Sequence, residues 1–574
     1  LDFISKKEGK NMEEQSFNLV EEPWIRVRTS ENNTKEVSLA QALLQAHTFA
    51  ALAGETATQD VAVLRLLLAV LHTVFSRVDE AGNPAPIASR GDALRRWQVI
   101  WKLGQLPPKP IEDYLSQWRE RFWLFDPETP FFQTEEAKRR KPKPYDVAKM
   151  NGELVESGNK RRLFPSRTGE GKMTLSYGEA ARWLLYLNGW DDVALKPSDI
   201  AKKKKDRSAA SVGWLGKLGY VEAVGNSIFE TLLLNLTLLR DGVELWDMAD
   251  CKPSWEEEPC QRELTQIPTP NHPAALLTMQ YRRVKLEAEN GVVCRYYVYS
   301  GDQISSTNAF AEQNTLWRQI KGKGGAPDVW IPRPHDPARQ LWRDFSAIAS
   351  QSDRSQTGQN DHNQTPGVVQ WVTALMQNRI LPKEQQMRLR IVANRYNDNP
   401  TSRAVEDLFS DQLTFHADLL TELGYKWRKS IEEEISACDK GAQTCGRLAK
   451  ELKLAAGGTG DGCDQRGKAL FYDAIDQPFR NWLAGLSARQ NRVEMVKQCD
   501  SWRQTAQTIG LQLGKQLVDE AGPAAFVGRS VEEKEKKGKN SQRSGKVYYA
   551  APDSYRKYDR RIRQIFKKKE GDGQ

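Results

Sequence analysis

Apolar positions along this chain fall into two rhythms. Residues 60–77 place Val61, Leu64, Leu67, Leu68, Leu71 and Phe75 at intervals of three and four, the spacing of a helix with a buried face. Residues 17–28 alternate after Pro23 well enough for a short strand, and residues 37–40 read as its partner followed by a helix start with Ser38 as N-cap. The middle of the chain mixes a helical stretch, 227–240, with strands expected at 276–285 and 292–300. Long loops are expected around 202–219 and 353–366. Beyond Thr401 the character changes, and 403–423, 425–454, 468–486 and 493–520 all carry helical periodicity, with Gly424 and Gly457–Gly458 as stops. Four such helices with short connectors suggest an antiparallel bundle. The fold class expected is therefore α+β, a large mixed N-terminal domain over residues 12–401 followed by a C-terminal four-helix bundle over 402–574. Residues 1–11 precede Met12 in a polar stretch and read as an appended or upstream segment.

With 574 residues, 39% hydrophobic and 28% charged, the chain is long enough for two or more cores and too apolar to be disordered throughout. Its most apolar window, 61–75, spans fifteen residues and carries Arg65 and His72, short of a bilayer crossing. The seven cysteines include no CxxC pair and no apolar signal segment opens the chain, so a reducing cytoplasm is the expected setting and no membrane is an expected partner.

The net charge of +9 becomes informative once it is divided along the sequence. Residues 138–207 hold eighteen Lys and Arg against nine Asp and Glu, and residues 529–569 hold fifteen against five. The rest of the chain is left at −10. The first block contains the runs 138–141, 160–162 and 202–207 among Pro, Gly and Ser, which reads as loops presenting cations to phosphate. One such run alone is usually a solvated loop; three within seventy residues point to nucleic acid. The second block reads equally as a floppy tail or as a further phosphate contact.

Candidate catalytic groups are few. The six histidines form neither HxH nor HExxH, so the zinc-hydrolase pattern is missing. His335-Asp336 is an HD dipeptide caught between Pro334 and Pro337. Gly462 to Lys468 satisfies GxxxxGK, yet Ala469 stands where a magnesium-binding hydroxyl belongs and no apolar strand precedes it; it reads as a connector between bundle helices. A hydrolase of the HD type or dependent on nucleotide, using His335, Asp336 or Lys468, is one rival reading, and a non-specific RNA-binding scaffold is another. Neither a metal nor a cofactor is expected. Of the seventeen tryptophans, Trp97, Trp101, Trp118, Trp183 and Trp246 fall at helical spacing among Leu and Ile, the placement of core residues.

Several segments taken together resemble one known family. Phe17-Asn-Leu-Val-Glu-Glu-Pro-Trp-Ile-Arg-Val-Arg28 is similar to the opening strand of the CasA family, the large subunit of the type I-E CRISPR Cascade complex. Phe125-Asp-Pro-Glu-Thr-Pro-Phe-Phe-Gln-Thr134 is similar to another of its segments, as is Gly213-Trp-Leu-Gly-Lys-Leu-Gly219 running into Ile228-Phe-Glu-Thr-Leu-Leu-Leu-Asn235. The resemblance holds in order and spacing over nearly the whole chain. It implies a non-catalytic subunit held with other Cascade subunits and CRISPR RNA, which reads the protospacer-adjacent motif (PAM) of target double-stranded DNA from the minor groove. It also implies help with duplex opening and R-loop formation, and recruitment of a helicase-nuclease in antiviral defence.

Carried over residue by residue, the resemblance marks three loops. The loop near the 5′ handle of the guide matches Leu163-Phe-Pro-Ser-Arg167, preceded by Arg161 and Arg162; Phe164 would stack or wedge, Pro165 and Ser166 would shape the turn, and Arg167 would meet phosphate. The alternative for Phe164 is packing on its own domain. The family's glycine loop at the minor groove falls at 202–213, where Lys202, Lys203, Lys204, Lys205, Arg207 and Ser211 replace glycines, so cationic contact to phosphate is expected instead of close backbone approach. The PAM-reading wedge resembles Tyr396-Asn-Asp-Asn-Pro-Thr401. There, with Asn397 and Asp398 leading in, Asn399 would donate to minor-groove acceptors while Pro400 and Thr401 enter the base stack; an ordinary turn is the alternative. No lysine stands near Tyr299 to Gln303, where some members carry a lysine finger.

Overall fold

The fold is that of a computed structural model, which describes residues 15–140, 143–156, 163–192, 212–258, 266–349, 365–382, 385–397, 404–534 and 544–568. The chain divides into two compact units. One takes residues 1–335, 352–380 and 388–412, and the other takes 336–351, 381–387 and 413–574.

The first unit is organised around the helix Ala57–Arg77, N-capped by Thr56, whose side chain accepts from the Gln59 N–H. Leu64, Leu67, Leu68 and Leu71 are all but fully buried, each contributing about 1.5–3 kcal/mol through burial. The helix runs to 21 residues, six beyond the apolar window of the sequence. It is long and apolar enough to cross a bilayer by length and composition, and residues 58–76 of it are buried inside the fold. The opening of the chain forms as expected: Ile25–Thr29 pairs antiparallel with Thr34–Val37 and with Phe49–Leu52. Ser38 then caps Leu39–Leu44 through a reciprocal capping box with Gln41. Arg182, on the helix Tyr177–Trp190, locks this sheet in place by donating to the Trp24 carbonyl and pairing with Glu55 and Glu36.

Two further three-stranded sheets follow, beside several two-stranded pairs. Arg282–Glu289 and Val292–Ser300 form an antiparallel pair extended by Tyr145–Asp146. The strand expected at 276–285 is thus displaced, because Pro273 starts a short helix, Pro273–Leu277, capped by His272. The other sheet has the order Val405–His416, Gln386–Tyr396, Val221–Ala223. Here the sequence reading of 403–423 as a helix fails. Val405, Leu408, Phe409 and Leu413 satisfy a helical spacing, but the segment pairs as a strand in which Leu413 and Phe415 alternate inward to full burial. One division between the units falls within this strand, after residue 412.

The second unit contains the four-helix bundle, built from Tyr425–Ala455, Cys463–Ala484, Arg492–Val527 and Ala551–Ile565. Its fourth helix is supplied by the basic C-terminal block, which therefore is not a floppy tail over its described part. A hairpin of Arg529–Lys534 with Ser544–Tyr549 joins the third helix to the fourth. The third helix breaks at Gly522, followed by Pro523. Trp342 anchors the segment 336–349 to the bundle, stacking on Phe479 at 4.2 Å and donating its indole N–H to Asp476 at 2.7 Å. The expected core tryptophans Trp97, Trp183 and Trp246 are buried, while Trp101 and Trp118 are partly exposed.

Candidate nucleic-acid interface

Two of the three candidate loops spring from one place. The helix Tyr177–Trp190 ends at Asp191, and the chain re-emerges from the basic loop at Val212 and Gly213, whose N–H donates to the Asp191 carbonyl at 3.0 Å. A hydrogen bond thus closes the neck of the loop. Beneath it the fully buried Arg282 pairs with the Asp191 carboxylate and donates to the Asp192 carbonyl. Burial pulls the Arg282 guanidinium down to about 10.

The second candidate segment, 397–401, falls between strands Gln386–Tyr396 and Val405–His416, where the Asn397 N–H donates to the Ala404 carbonyl at 3.0 Å. Tyr396, the last residue of its strand, donates its phenol to the Trp190 carbonyl at 2.7 Å. The end of the strand that precedes the candidate segment 397–401 is thereby bonded to the last residue of the helix that precedes the basic segment 202–207.

Glycines in the segment 213–219 make this approach possible. A Cβ on Gly213 would lie 2.3 Å from the Gly189 carbonyl oxygen, and one on Gly216 would lie 2.4 Å from the Tyr396 hydroxyl; neither position admits a side chain without displacing its neighbour. Trp214 donates its indole N–H to Glu312 at 2.7 Å, and Glu312 is held in a two-pronged ion pair by Arg65 at 2.9 and 3.0 Å. Lys217 lies over the rings of Trp214 and Tyr281, at 5.8 and 5.1 Å. Burial, with Arg282 nearby, draws its ammonium down to about 8. The sequence flagged the glycine-rich run but missed Arg65, Glu312, Arg282 and Lys217, because their partners lie far away along the chain.

The third loop is only partly described. Phe164 is 93% exposed and Leu163 91% exposed, so the Phe164 ring does not pack on its own domain. Half-buried Pro165 and exposed Ser166 complete the turn. Arg167 pairs with Glu179 at 2.8 Å and Glu153 at 3.4 Å. The other oxygen of Glu179 accepts from the Ser176 N–H in the capping box of Tyr177–Trp190. Arg167 therefore fastens the loop to the helix, and its charge is already answered. Arg161, Arg162, Lys202, Lys203, Lys204, Lys205, Arg207, Ser211, Asp398, Asn399, Pro400 and Thr401 lie outside the described residues.

The rival catalytic motifs have structural roles. Gly462 caps the helix Cys463–Ala484, so Gly467 and Lys468 stand within a helical turn, not in a phosphate-cradling loop or a connector, and Lys468 pairs with Asp464 at 3.4 Å. His335 contacts the Tyr220 carbonyl through Nε2 at 2.9 Å, and Asp336 accepts from the Ala338 N–H. Among the described residues no group of three or more His, Cys, Asp or Glu is placed to hold a metal ion.

Comparison with known proteins adds to this geometry. The family model described as CRISPR-associated protein Cse1 matches residues 18–513. This chain belongs to the Cse1 family. It is 26% identical over 520 residues to the CRISPR-associated protein CasA/Cse1 of Thermus thermophilus, covering 87% of this chain and 92% of that one. The crystal structure of Thermobifida fusca Cse1 superposes with a TM-score of 0.78 at 26% identity, covering 96% of this chain and 98% of the other. A chain of a CRISPR RNA-guided surveillance complex superposes with a TM-score of 0.66 at 17% identity over 96% of this chain and 100% of its own, a likeness of fold.

Proposed function

We propose that this Cse1-family chain is the non-catalytic large subunit of a CRISPR-RNA-guided type I-E Cascade complex in the cytoplasm. In this role it recognises the PAM of target double-stranded DNA, promotes duplex opening and R-loop formation, and recruits the helicase-nuclease. The observation that carries the reading is the hydrogen bond from Tyr396 to the Trp190 carbonyl, which ties the neck of the wedge-like turn to the helix end feeding the lysine-rich loop. A duplex laid across this place meets phosphate contacts and a base-reading turn together.

Each part then has a physical task. Lys202 to Lys205 and Arg207 neutralise phosphates and hold the duplex without regard to sequence. Asn399 donates to the minor-groove acceptors, a degenerate code that admits several related PAMs. Pro400 and Thr401 press into the base step, and Pro400 is suited to it by being rigid and apolar. Guide pairing supplies the remaining specificity, and the near-balanced exchange of duplex for heteroduplex requires no nucleotide hydrolysis by this subunit. Phe164, exposed beside the helix-fastened Arg167, offers its face to an unpaired base at the guide handle.

The test is binding of the reconstituted complex, at fixed salt, to guide-matched duplexes bearing each possible PAM. The unaltered protein should prefer a small PAM set, and the pair Asn399→Ala, Pro400→Ala should lose that preference while keeping affinity for single-stranded target. Preference that is absent, or that survives the substitutions, removes the wedge role and returns the segment to an ordinary turn. Equal affinity for every duplex and for unrelated RNA would favour the non-specific scaffold, and an activity lost in Asp336→Ala or Lys468→Ala would favour a hydrolase.

A further inference from the structure

The first unit holds a cavity of about 360 Å³, set among the segments 129–134 and 250–258 and the short helix Pro273–Leu277. None of its described wall residues belongs to the three candidate loops. The volume falls at the lower end of small-molecule sites, about 300–1,000 Å³. It has room for a ligand of about a dozen non-hydrogen atoms at roughly 30 Å³ each, one water's share. Much of the wall is apolar: buried Phe131, Phe132 and Trp255 stand there with Met279 and Ile267. A second hollow of about 40 Å³ shares Phe132 and Met279 and adds Leu66, Leu185, Leu276 and Leu277, so apolar surface continues behind a flexible thioether that adapts its shape to a neighbour. Phe132 itself holds φ at 54°, in the left-handed region that glycine favours. The turn around it is pinned by the Phe131 N–H on the Trp123 carbonyl at 2.8 Å and by Gln133, which donates to the Leu124 carbonyl at 2.6 Å and accepts from the Leu286 N–H at 2.8 Å. Strain fixed this firmly at a cavity wall points to a site shaped for an occupant.

The polar part of the wall carries both signs of charge. One pair answers itself, since buried Arg283 meets buried Asp302 at 2.8 Å. The others do not. Lys252, Glu257 and Glu258 are exposed wall residues with no ion-pair partner among the described residues. Half-buried Arg121 donates only to the Glu257 main-chain carbonyl at 2.7 Å, and Asp250 accepts only from the Asn271 N–H at 2.7 Å, among the described residues. The Ser254 hydroxyl, in the same wall, also has no hydrogen-bond partner among them. Two cations and three carboxylates thus stand unanswered around one cavity. Unanswered charge of a single sign would call for an ion of the other sign, whereas both signs together beside aromatic surface call for a zwitterionic head on an apolar body.

We propose that this cavity is a binding site for a free α-amino acid with a large apolar side chain. Glu257 and Glu258 receive its ammonium group, Lys252 and Arg121 its carboxylate, and the side chain lies among Phe132, Trp255 and Met279. Phenylalanine has the size that the volume admits. The reading uses no part of the PAM assignment and stands or falls apart from it.

The experiment is isothermal titration calorimetry of the purified full-length chain with L-phenylalanine, and with 2-phenylethylamine and 3-phenylpropionate, which each keep the ring and one charge of the head. L-Phenylalanine should bind saturably with a Kd below about 1 mM, and each single-charge probe at least tenfold more weakly. Glu257→Gln with Glu258→Gln, at exposed positions where the fold has little to lose, should weaken L-phenylalanine at least tenfold and leave 3-phenylpropionate unchanged or tighter. Ala275→Phe, which places a ring into the cavity from its helical wall, should abolish binding of all three probes. Should that variant fail to fold, the glutamate pair alone decides. Absence of L-phenylalanine binding at about 10 mM overturns the proposal, as does binding that survives the glutamate substitutions, which would place it elsewhere on the chain. Tighter binding of either single-charge probe than of L-phenylalanine also overturns it, making the cavity a site for a simple organic cation or anion. PAM preference of the assembled complex should be the same in the glutamate variant as in the unaltered protein, so the two readings fail separately.

Discussion

The phenol of Tyr396 donates to the main-chain carbonyl of Trp190 at 2.7 Å across a sequence separation of 206 residues. One residue closes the strand before the candidate segment 397–401, and the other closes the helix before the lysine-rich segment 202–207. Tyr396→Phe keeps the ring and removes only this bond, so it should cost about 1 kcal/mol in unfolding free energy. The sharper expectation concerns function: PAM-dependent affinity should fall while affinity for single-stranded target stays constant, because only the relative placement of the two loops is loosened. Denaturant unfolding together with duplex and single-strand binding checks both. Loss of affinity for the two targets alike would mean that the bond serves stability and not placement.

Gly213→Ala tests the same neck from the other side. Its new methyl would sit 2.3 Å from a backbone oxygen, which cannot swing aside as a side chain can. Destabilisation of about 1–3 kcal/mol is expected, the range for overpacking, and it should exceed that of Gly485→Ala, where the nearest atom is 3.5 Å away. Thermal midpoints of the two variants decide it.

Much of this architecture is legible in the sequence, and the failures have physical causes. Ser38 as an N-cap, and the apolar stripe of 60–77, encode local structure in local residues, and both appear as read. The segment 405–416 does not, because its apolar residues fit a helical spacing as well as a strand, and pairing with Gln386–Tyr396 settles the matter through a partner that periodicity cannot reveal. The bundle's fourth helix was hidden for the opposite reason. Arg556 to Lys568 reads as a charged tail, and only Tyr558, Ile562 and Phe566, three buried positions at spacing four, betray the inner face. At the candidate interface, charge and glycine content pointed to the loops, but whether a cation is free is a question of three-dimensional neighbours. Arg167 and Lys557 look alike in sequence; one is answered by Glu153 and Glu179, and the other has no carboxylate beside it among the described residues.

Arg65 and Glu312 form a buried pair that also receives the Trp214 indole. Arg65→Met leaves a carboxylate without its cation in the core, at a cost of about 3–5 kcal/mol. Arg65→Met with Glu312→Gln should recover part of this loss, since an amide in place of the Glu312 carboxylate can still accept from Trp214 and carries no charge. A double-mutant cycle by denaturant unfolding measures the coupling, and simple additivity of the two substitutions would show that the pair does not act as a unit.

Exposure separates Phe164 from Arg167. Phe164→Ala removes a ring that touches little of the protein, so the thermal midpoint should stay put while affinity for guide-bearing partner subunits falls. Arg167→Ala should lower the midpoint by breaking two ion pairs that hold the loop to the helix Tyr177–Trp190. Calorimetry on both variants, with assembly followed by gel filtration, is sufficient. A lowered midpoint in Phe164→Ala, with assembly unchanged, would make that ring a structural residue.

Two buried histidines predict how stability responds to acid. His72 is drawn well below its ordinary range by burial and then by His272, while burial, with Arg77 beside it, draws His272 down to about 3. Both are therefore neutral in the folded protein near pH 5, where the unfolded chain, titrating near 6.5, is protonated. The unfolded state binds more protons in this window, so stability rises with pH from about 3 to 6.5 and is lost as acid is added. Among the described residues His72 Nδ1 has no hydrogen-bond partner, whereas His272 Nδ1 accepts from the Ala274 N–H at 3.0 Å, which makes His72 the better position to replace. His72→Leu should leave stability near pH 7.5 within about 1.5 kcal/mol of the original, as volume-conserving changes in cores do, and should flatten the decline between pH 6.5 and 5. Unfolding measured across that range in both proteins gives the difference directly. Parallel curves would mean that His72 takes up its proton without unfolding, against the burial that the structure assigns to it.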